Sequence, residues 1–339
     1  MTKPGSTDGR RSERHQTGAM ASGGREGIPG RLLSGQGEAS VPGWGRVVGA
    51  NRRIRASLWA TDRRDALRVT PDFDLTSFDR DGAPGFKGDR DDAEELMPAR
   101  GELMADLQER LYANGRSGGA ERVLVVVQGL DTAGKGGIAR HVMGMVDPQG
   151  VALRSFGVPT EEERAHHYLW RIERALPPPG KIGLFDRSHY EDVLVVRVDN
   201  LVEPDVWGAR YEEINAWERA LVDDGVRILK FALMVSYEEQ GARLMERLDR
   251  PDKHWKYSPG DLKTRAKWDA YQEAYADVFR LTSTEYAPWY VLPADRKWYP
   301  RLAVTEILTR TLEEMNLDWP KATFDVEEQR AALAATMRR

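Results

Sequence analysis

The chain has 339 residues, a net charge of −4, no cysteine, and 40% of its residues hydrophobic. That suffices for one large α/β domain, or two small ones, with a substantial core. It excludes disulfides, thiolate metal sites and a cysteine nucleophile, and no apolar run approaches the length of a membrane span.

Residues 1–50 hold twelve of the 32 glycines and little apolar periodicity. Such a composition predicts disorder. Residues 1–55 carry ten Lys/Arg against four Asp/Glu, about +6, which leaves about −10 for the rest. This stretch is expected to be a basic tail, with Met20 as an alternative start. Arg10-Arg11 is followed by polar residues, so no signal peptide is expected and a cytoplasmic protein is the default. The domain is placed at 56–320 and a C-terminal tail at 321–339.

Residues 51–100 show no long periodic element. Leu103, Leu107 and Leu111 predict a helix over 102–112. An apolar strand is predicted over 123–127. It runs directly into Gly129-Leu-Asp-Thr-Ala-Gly-Lys-Gly-Gly137. Gly129, Gly134 and Lys135 fit the G-x4-G-K spacing of a phosphate loop. Gly129, Gly134, Gly136 and Gly137 leave room for backbone N–H groups to turn toward phosphate oxygens. A helix starting near Gly136 and continuing over 138–146 adds its N-terminal dipole, and Lys135 adds a point charge. Gly136 stands where Ser or Thr ordinarily holds magnesium. The metal then needs other ligands, and Asp131 is the nearest candidate.

Further along, strands are predicted over 151–156, 182–185, 228–235 and 289–292. Helices are predicted over 161–175, 207–223, 237–249, 263–281 and 299–315. Thr160 with Glu163 and Ser236 with Glu239 read as capping boxes. Alternating strands and helices predict a mostly parallel five-stranded sheet between two helical layers, with ligands at the carboxyl ends of the strands.

The strand over 182–185 ends in Asp186, which should emerge on the same edge as the phosphate loop. Asp131 and Asp186 would then flank one polyphosphate group and hold magnesium, which prefers oxygen ligands and keeps several waters. Arg187 is placed to clamp phosphate in bidentate fashion. Glu191 and Asp192 follow as neighbours of metal or nucleotide, although a helical first turn explains them equally well. His189 reads as a packed histidine.

Arg243, Arg247 and Arg250 fall at i, i+4 and i+7, on one helical face. Pro251 ends the helix, and Lys253 and Lys256 follow with Trp255. This basic segment, about 240–262, has the position of a kinase lid. The alternative is a solvated face paired with Glu239 and Glu246. Trp268, Tyr271, Tyr275, Val278 and Phe279 read as the core face of the next helix.

Three segments together, Gly129–Gly137, Phe185-Asp-Arg-Ser-His-Tyr-Glu-Asp-Val193 and Arg247-Leu-Asp-Arg-Pro-Asp-Lys-His-Trp-Lys256, resemble the type 2 polyphosphate kinase family. Ser155–Thr160 and Ser283–Tyr290 fit as well, and the resemblance spans roughly 70–316. It implies a thymidylate-kinase-like P-loop fold with a helical lid. It also implies reversible, magnesium-dependent phosphoryl transfer between inorganic polyphosphate and nucleotides, with manganese as a substitute metal. The segment from Ser188 to Val198 resembles the one-domain class acting on both nucleoside mono- and diphosphates. The resemblance assigns the chemistry to Asp131, Lys135, Asp186 and Arg187, and the grip on polyphosphate to Arg243, Arg247, Arg250 and nearby lysines. The expected partners are polyphosphate and AMP, ADP and ATP or their guanine counterparts. A homo-oligomer is expected, with no nucleic acid and no membrane. The competing readings are an ATP-dependent nucleotide kinase and a non-catalytic binding module. The two aspartates argue against the latter, since binding a polyanion needs cations only.

Overall fold

Strand β1 (Arg122–Gln128) occupies the centre of a five-stranded sheet and is buried from Val123 onward. Val123, Val125 and Val127 enter one hydrophobic cluster, and Leu124 and Val126 the other, because successive strand residues point to opposite faces. With both faces covered, the run is continuously apolar. The computed structural model describes residues 58–337; the basic glycine-rich segment over 1–55 lies outside the described residues.

The other strands are β2 (Val151–Ser155), β3 (Ile182–Asp186), β4 (Val226–Met234) and β5 (Trp289–Pro293). Their order is β2-β3-β1-β4-β5, and every neighbouring pair is parallel. All carboxyl ends therefore share one edge. The main helices are α1 (Arg90–Arg116), α2 (Lys135–His141), α3 (Pro204–Asp223), α4 (Tyr237–Asp249), α5 (Pro259–Arg265), α6 (Trp268–Thr282) and α7 (Trp298–Glu314). α1, α2 and α7 pack into one cluster; α3 and α6 pack into the other. The result is the expected three-layer α/β sandwich.

Several helix boundaries differ from expectation. α1 extends far beyond 102–112, because Asp89 and Asp92 form a capping box ahead of it and Pro98 is accommodated inside it. The helix expected over 138–146 ends at His141, and a separate 3-10 turn follows at Met143–Met145; Gly144 disfavours continuation. The helix expected over 161–175 is two short turns, Glu161–Arg164 and Trp170–Glu173. The first is capped by Thr160 but buries no residue, so no packing extends it. The helix expected over 263–281 divides at Lys267. α5 starts at a Ser258–Asp261 capping box, and α6 turns its Tyr271, Tyr275, Val278 and Phe279 face into the core, with Trp268 half-buried. Beyond α7, helix Val326–Thr336 is exposed throughout. No described helix is long and apolar enough to cross a membrane.

Candidate active site

The phosphate loop joins β1 to α2. Gly129 (φ 154°) cannot carry a side chain, since a Cβ there would lie 2.7 Å from the Leu233 carbonyl oxygen on β4. Gly134 (φ 116°) occupies the left-handed position that lets α2 begin at Lys135. Thr132 also has positive φ (68°), a conformation that costs a non-glycine residue roughly 1–3 kcal/mol and clusters at functional loops. The Lys135 ammonium donates to the Gly129 and Leu130 carbonyls at 2.6 and 3.2 Å. Burial, and after it Arg187, push its pKa below the ordinary lysine range, against the pull of Asp186 and Asp131. A Cβ at Gly136 would meet nothing within 4 Å. Space therefore exists for the missing hydroxyl-bearing side chain.

Parallel pairing sets the second acidic group. Asp186 is in register with Val127 on one side and Ser155 on the other, and so reaches the edge where the loop begins. Arg187 (φ 65°) turns back across the loop, and its Nη2 donates to Asp131 Oδ1 at 3.0 Å. Burial opposes the Arg187 charge, but Glu191, Asp131 and Asp186 outweigh it and raise its pKa. Asp131 and Asp186 are hard oxygen donors at the mouth of the loop, a set that suits magnesium with water completing the shell. Among the described residues no three His, Asp or Glu side chains converge as a closed metal cage.

Glu191 is placed near Lys135 and Arg187, and burial raises its pKa against both. With the Gln128 amide oriented to satisfy both neighbours, its nitrogen donates to Glu191 Oε1 at 3.0 Å. Asp192 faces elsewhere. Its carboxylate pairs with Arg210 at 3.2 Å and Arg171 at 4.0 Å, outside the walls of the cavity.

That cavity, about 910 Å³, brings the loop, Asp186 and Arg187 together with the lid. Arg243, Arg247, Lys253, Trp255 and Lys256 all line it. Arg243 is buried and has its donors committed: Nε to Glu239, Nη1 to Thr132 O, and Nη2 to Ala294 O and Asp295 O. It pins the phosphate loop to α4 and to the end of β5. Arg247 bonds Lys256 O and Asp261 Oδ2. Arg250 departs from the predicted row. α4 ends at Asp249, so Arg250 leaves the helical face, pairs with Asp252 and Glu246, and does not line the cavity. Lys256 lies over the exposed Trp255 ring at 4.9 Å.

Sequence reasoning missed Arg140, Asp261, Lys297 and Arg301, which also line the cavity. Lys297 and Arg301 come from the start of α7, over 160 residues beyond the loop. Arg301 approaches Gly137, where a Cβ would lie 3.7 Å from its guanidinium. In all, nine Lys/Arg and four Asp/Glu line the cavity, on a protein of net charge −4. An excess of positive charge between low-dielectric walls focuses the field on an anion.

Behind this face lies a second polar group that no local motif announces. Lys230 on β4 donates to Glu218 Oε2 (2.6 Å), Tyr190 Oη (2.8 Å) and Thr282 O (2.8 Å). Glu218 also bonds Tyr190 Oη and His189 Nε2. All of these side chains are fully buried. The network fixes the turn at His189–Asp192, which follows Arg187 after the capping residue Ser188.

The model of the family described as polyphosphate kinase 2 matches residues 87–320. The chain belongs to the polyphosphate kinase 2 family. Among relatives, it is 50% identical over 256 residues to an AMP/ADP-polyphosphate phosphotransferase of Meiothermus ruber, covering 75% of this chain and 94% of the relative. It is 40% identical over 245 residues to an ADP-polyphosphate phosphotransferase of Rhodopseudomonas palustris, covering 68% and 82%. The crystal structure of polyphosphate kinase 2 from Arthrobacter aurescens TC1 superposes with a TM-score of 0.80 at 47% identity, covering 82% of this chain and 98% of that one. As a member of the polyphosphate kinase 2 family, this chain is a phosphotransferase acting between polyphosphate and nucleotides. The matched region holds the whole cationic cavity.

Proposed function

We propose that this polyphosphate kinase transfers the terminal phosphoryl group of polyphosphate to both AMP and ADP, reversibly and with magnesium. The observation that carries this reading is the cavity itself: phosphate loop, two carboxylates and lid share one strongly cationic wall. The acceptor is a nucleotide phosphate oxygen that is already ionised, so no strong general base is required. A new P–O bond forms to that oxygen. The bond to the next phosphate of the chain breaks, and the shortened polyphosphate leaves with the electron pair on its terminal oxygen. Both compounds are phosphoanhydrides, which makes the exchange close to isoenergetic.

The protein's part is in-line positioning and neutralisation of charge on the group in transit. Lys135 swings from the Gly129 carbonyl to that group, and Arg187 exchanges Asp131 for phosphate. Arg247, Lys253, Lys256, Lys297 and Arg301 hold the chain, while Arg243 positions the loop. Asp131 and Asp186 hold the divalent ion, with manganese as a substitute; when bound, it neutralises phosphate charge. Guanine nucleotides are further acceptors, and the enzyme works in the cytoplasm as a homo-oligomer. The test offers long-chain polyphosphate and magnesium with either AMP or ADP and follows formation of ADP and ATP. Transfer from ATP to AMP with no response to polyphosphate would instead identify an ordinary nucleotide kinase.

A further inference from the structure

Glu246 lies on α4 in the wall of the cavity, and its carboxylate faces three cations. Lys253 Nζ donates to Oε1 at 2.5 Å, and Arg250 Nη1 donates to the same oxygen at 3.3 Å. Lys297 Nζ lies 3.8 Å from Oε2. Lys253 and Lys297 both line the cavity. Lys253 belongs to the lid, whereas Lys297 is the residue that opens α7. One carboxylate therefore bridges the lid to the body of the domain. It does so with two of the cations that line the cavity.

The strength of this clasp matters. All the partners are between a quarter and a half exposed, and ion pairs of that kind are weak and salt-sensitive. A chain carrying a negative charge on every phosphate outcompetes one carboxylate. The exchange leaves Lys253 and Lys297 on phosphate and Glu246 facing solvent. Each gain in grip is offset by the pairs that must open. Tight binding of the chain before transfer would in any case slow its departure without speeding the chemical step. The Lys253 hydrogen bond, with Lys297 close by, holds the Glu246 carboxyl below the usual range, so it remains charged at neutral pH.

We propose that Glu246 is an internal counter-anion that stands in for polyphosphate on Lys253 and Lys297 and sets how tightly the lid grips the chain. This makes it a residue that tunes substrate affinity by opposing it, and it rests on the polyphosphate reading of the cavity. Removing an acidic side chain should then improve binding, a sign that a merely structural role would not give.

The test is Glu246→Gln, which keeps the shape and removes the charge. The expected result at low salt is a fall in KM for polyphosphate on the order of fivefold, the worth of one unit charge about 4 Å away in water. KM for ADP should stay at its wild-type value, and the salt dependence of the polyphosphate constant should steepen. Glu246→Lys should extend the same trend. Asp252→Asn removes a lid carboxylate that contacts Arg250 outside the cavity and should leave the polyphosphate constant unchanged. An active Glu246→Gln protein with an equal or higher KM for polyphosphate overturns the proposal. If the polyphosphate reading itself is wrong, the wild-type protein shows no polyphosphate-dependent transfer, so the two failures are distinguishable.

Discussion

Arg187 Nη2 lies 3.0 Å from Asp131 Oδ1, although 56 residues separate them in the chain. One belongs to the turn after β3, the other to the middle of the phosphate loop. In the proposed function Arg187 would exchange Asp131 for phosphate, and Asp131 would turn to the divalent ion. The pair is partly exposed, at 38% and 20%, and so opens at small cost.

The proposed metal site includes one member of that pair. With Gly136 lacking a hydroxyl, the proposal has Asp131 and Asp186 share the coordination. Asp131→Asn and Asp186→Asn should each raise the magnesium concentration for half-maximal activity by about tenfold or more, the usual scale for disturbing a metal site. A magnesium titration of each variant checks this. An unaltered midpoint for Asp131→Asn would remove that residue from the metal shell.

In the proposed function Lys135 acts on charge that develops during transfer. Lys135→Ala should lower kcat by about 10²-fold or more, the scale for loss of one preorganised group, while circular dichroism stays that of the wild type. That role requires the charged form, and burial with Arg187 lowers its pKa. The alkaline limb of the rate profile should therefore fall at a pH below the ordinary lysine value of about 10.4. A limb at or above that value would show that another group sets it.

The three lid arginines should separate by role. Arg247→Ala should raise KM for polyphosphate several-fold, about what loss of one charge contact gives, with a much smaller change for ADP. Arg250→Ala should alter neither, because Arg250 itself does not line the cavity and its strongest partner, Asp252, lies outside it as well. Arg243→Ala should lower kcat and stability together, since it strips hydrogen bonds from Thr132, Ala294 and Asp295. Steady-state constants for both substrates, with melting curves, distinguish the three patterns. Equal effects of Arg247→Ala and Arg250→Ala would contradict the split.

The buried network should govern stability on the acid side. Burial depresses the His189 pKa more than its bond to Glu218 raises it. The unfolded chain then takes up a proton near pH 6.5 that the folded chain refuses. Stability is complete above that pH and declines as the pH falls through the window beneath it. Burial works against the Glu218 charge, but Lys230 and His189 outweigh it and lower its pKa, which adds a further loss at lower pH. His189→Gln should flatten the first decline. Glu218→Gln should destabilise by about 3–5 kcal/mol, because it leaves the Lys230 ammonium buried and uncompensated. Denaturant unfolding at several pH values measures both. A profile for His189→Gln parallel to the wild type would refute the first.

Near neighbours in the chain carry the parts that were legible before any fold was known. Five short runs sufficed to place five strands, four of them buried and β2 largely exposed, because period and length identify a strand without reference to its partners. The loop from Gly129 to Gly137 was legible because its backbone demands, positive φ at Gly129 and Gly134 and no room for a Cβ at Gly129, fall on glycines within six residues of one another. Asp186 was legible because it ends a strand that parallel pairing brings to the same edge. Tertiary structure decided what depends on residues distant in sequence. Lys297 and Arg301 enter the cavity only because α7 packs beside α2. Glu218 and Lys230 tolerate burial only because they face each other with Tyr190 and Thr282 between α3, β4 and α6. Arg250 fell outside the lid row because α4 stopped one residue short of it, and helix ends are set by capping and packing more than by periodicity. Local motifs carry their geometry within themselves; a charge balance is a property of the space they enclose together.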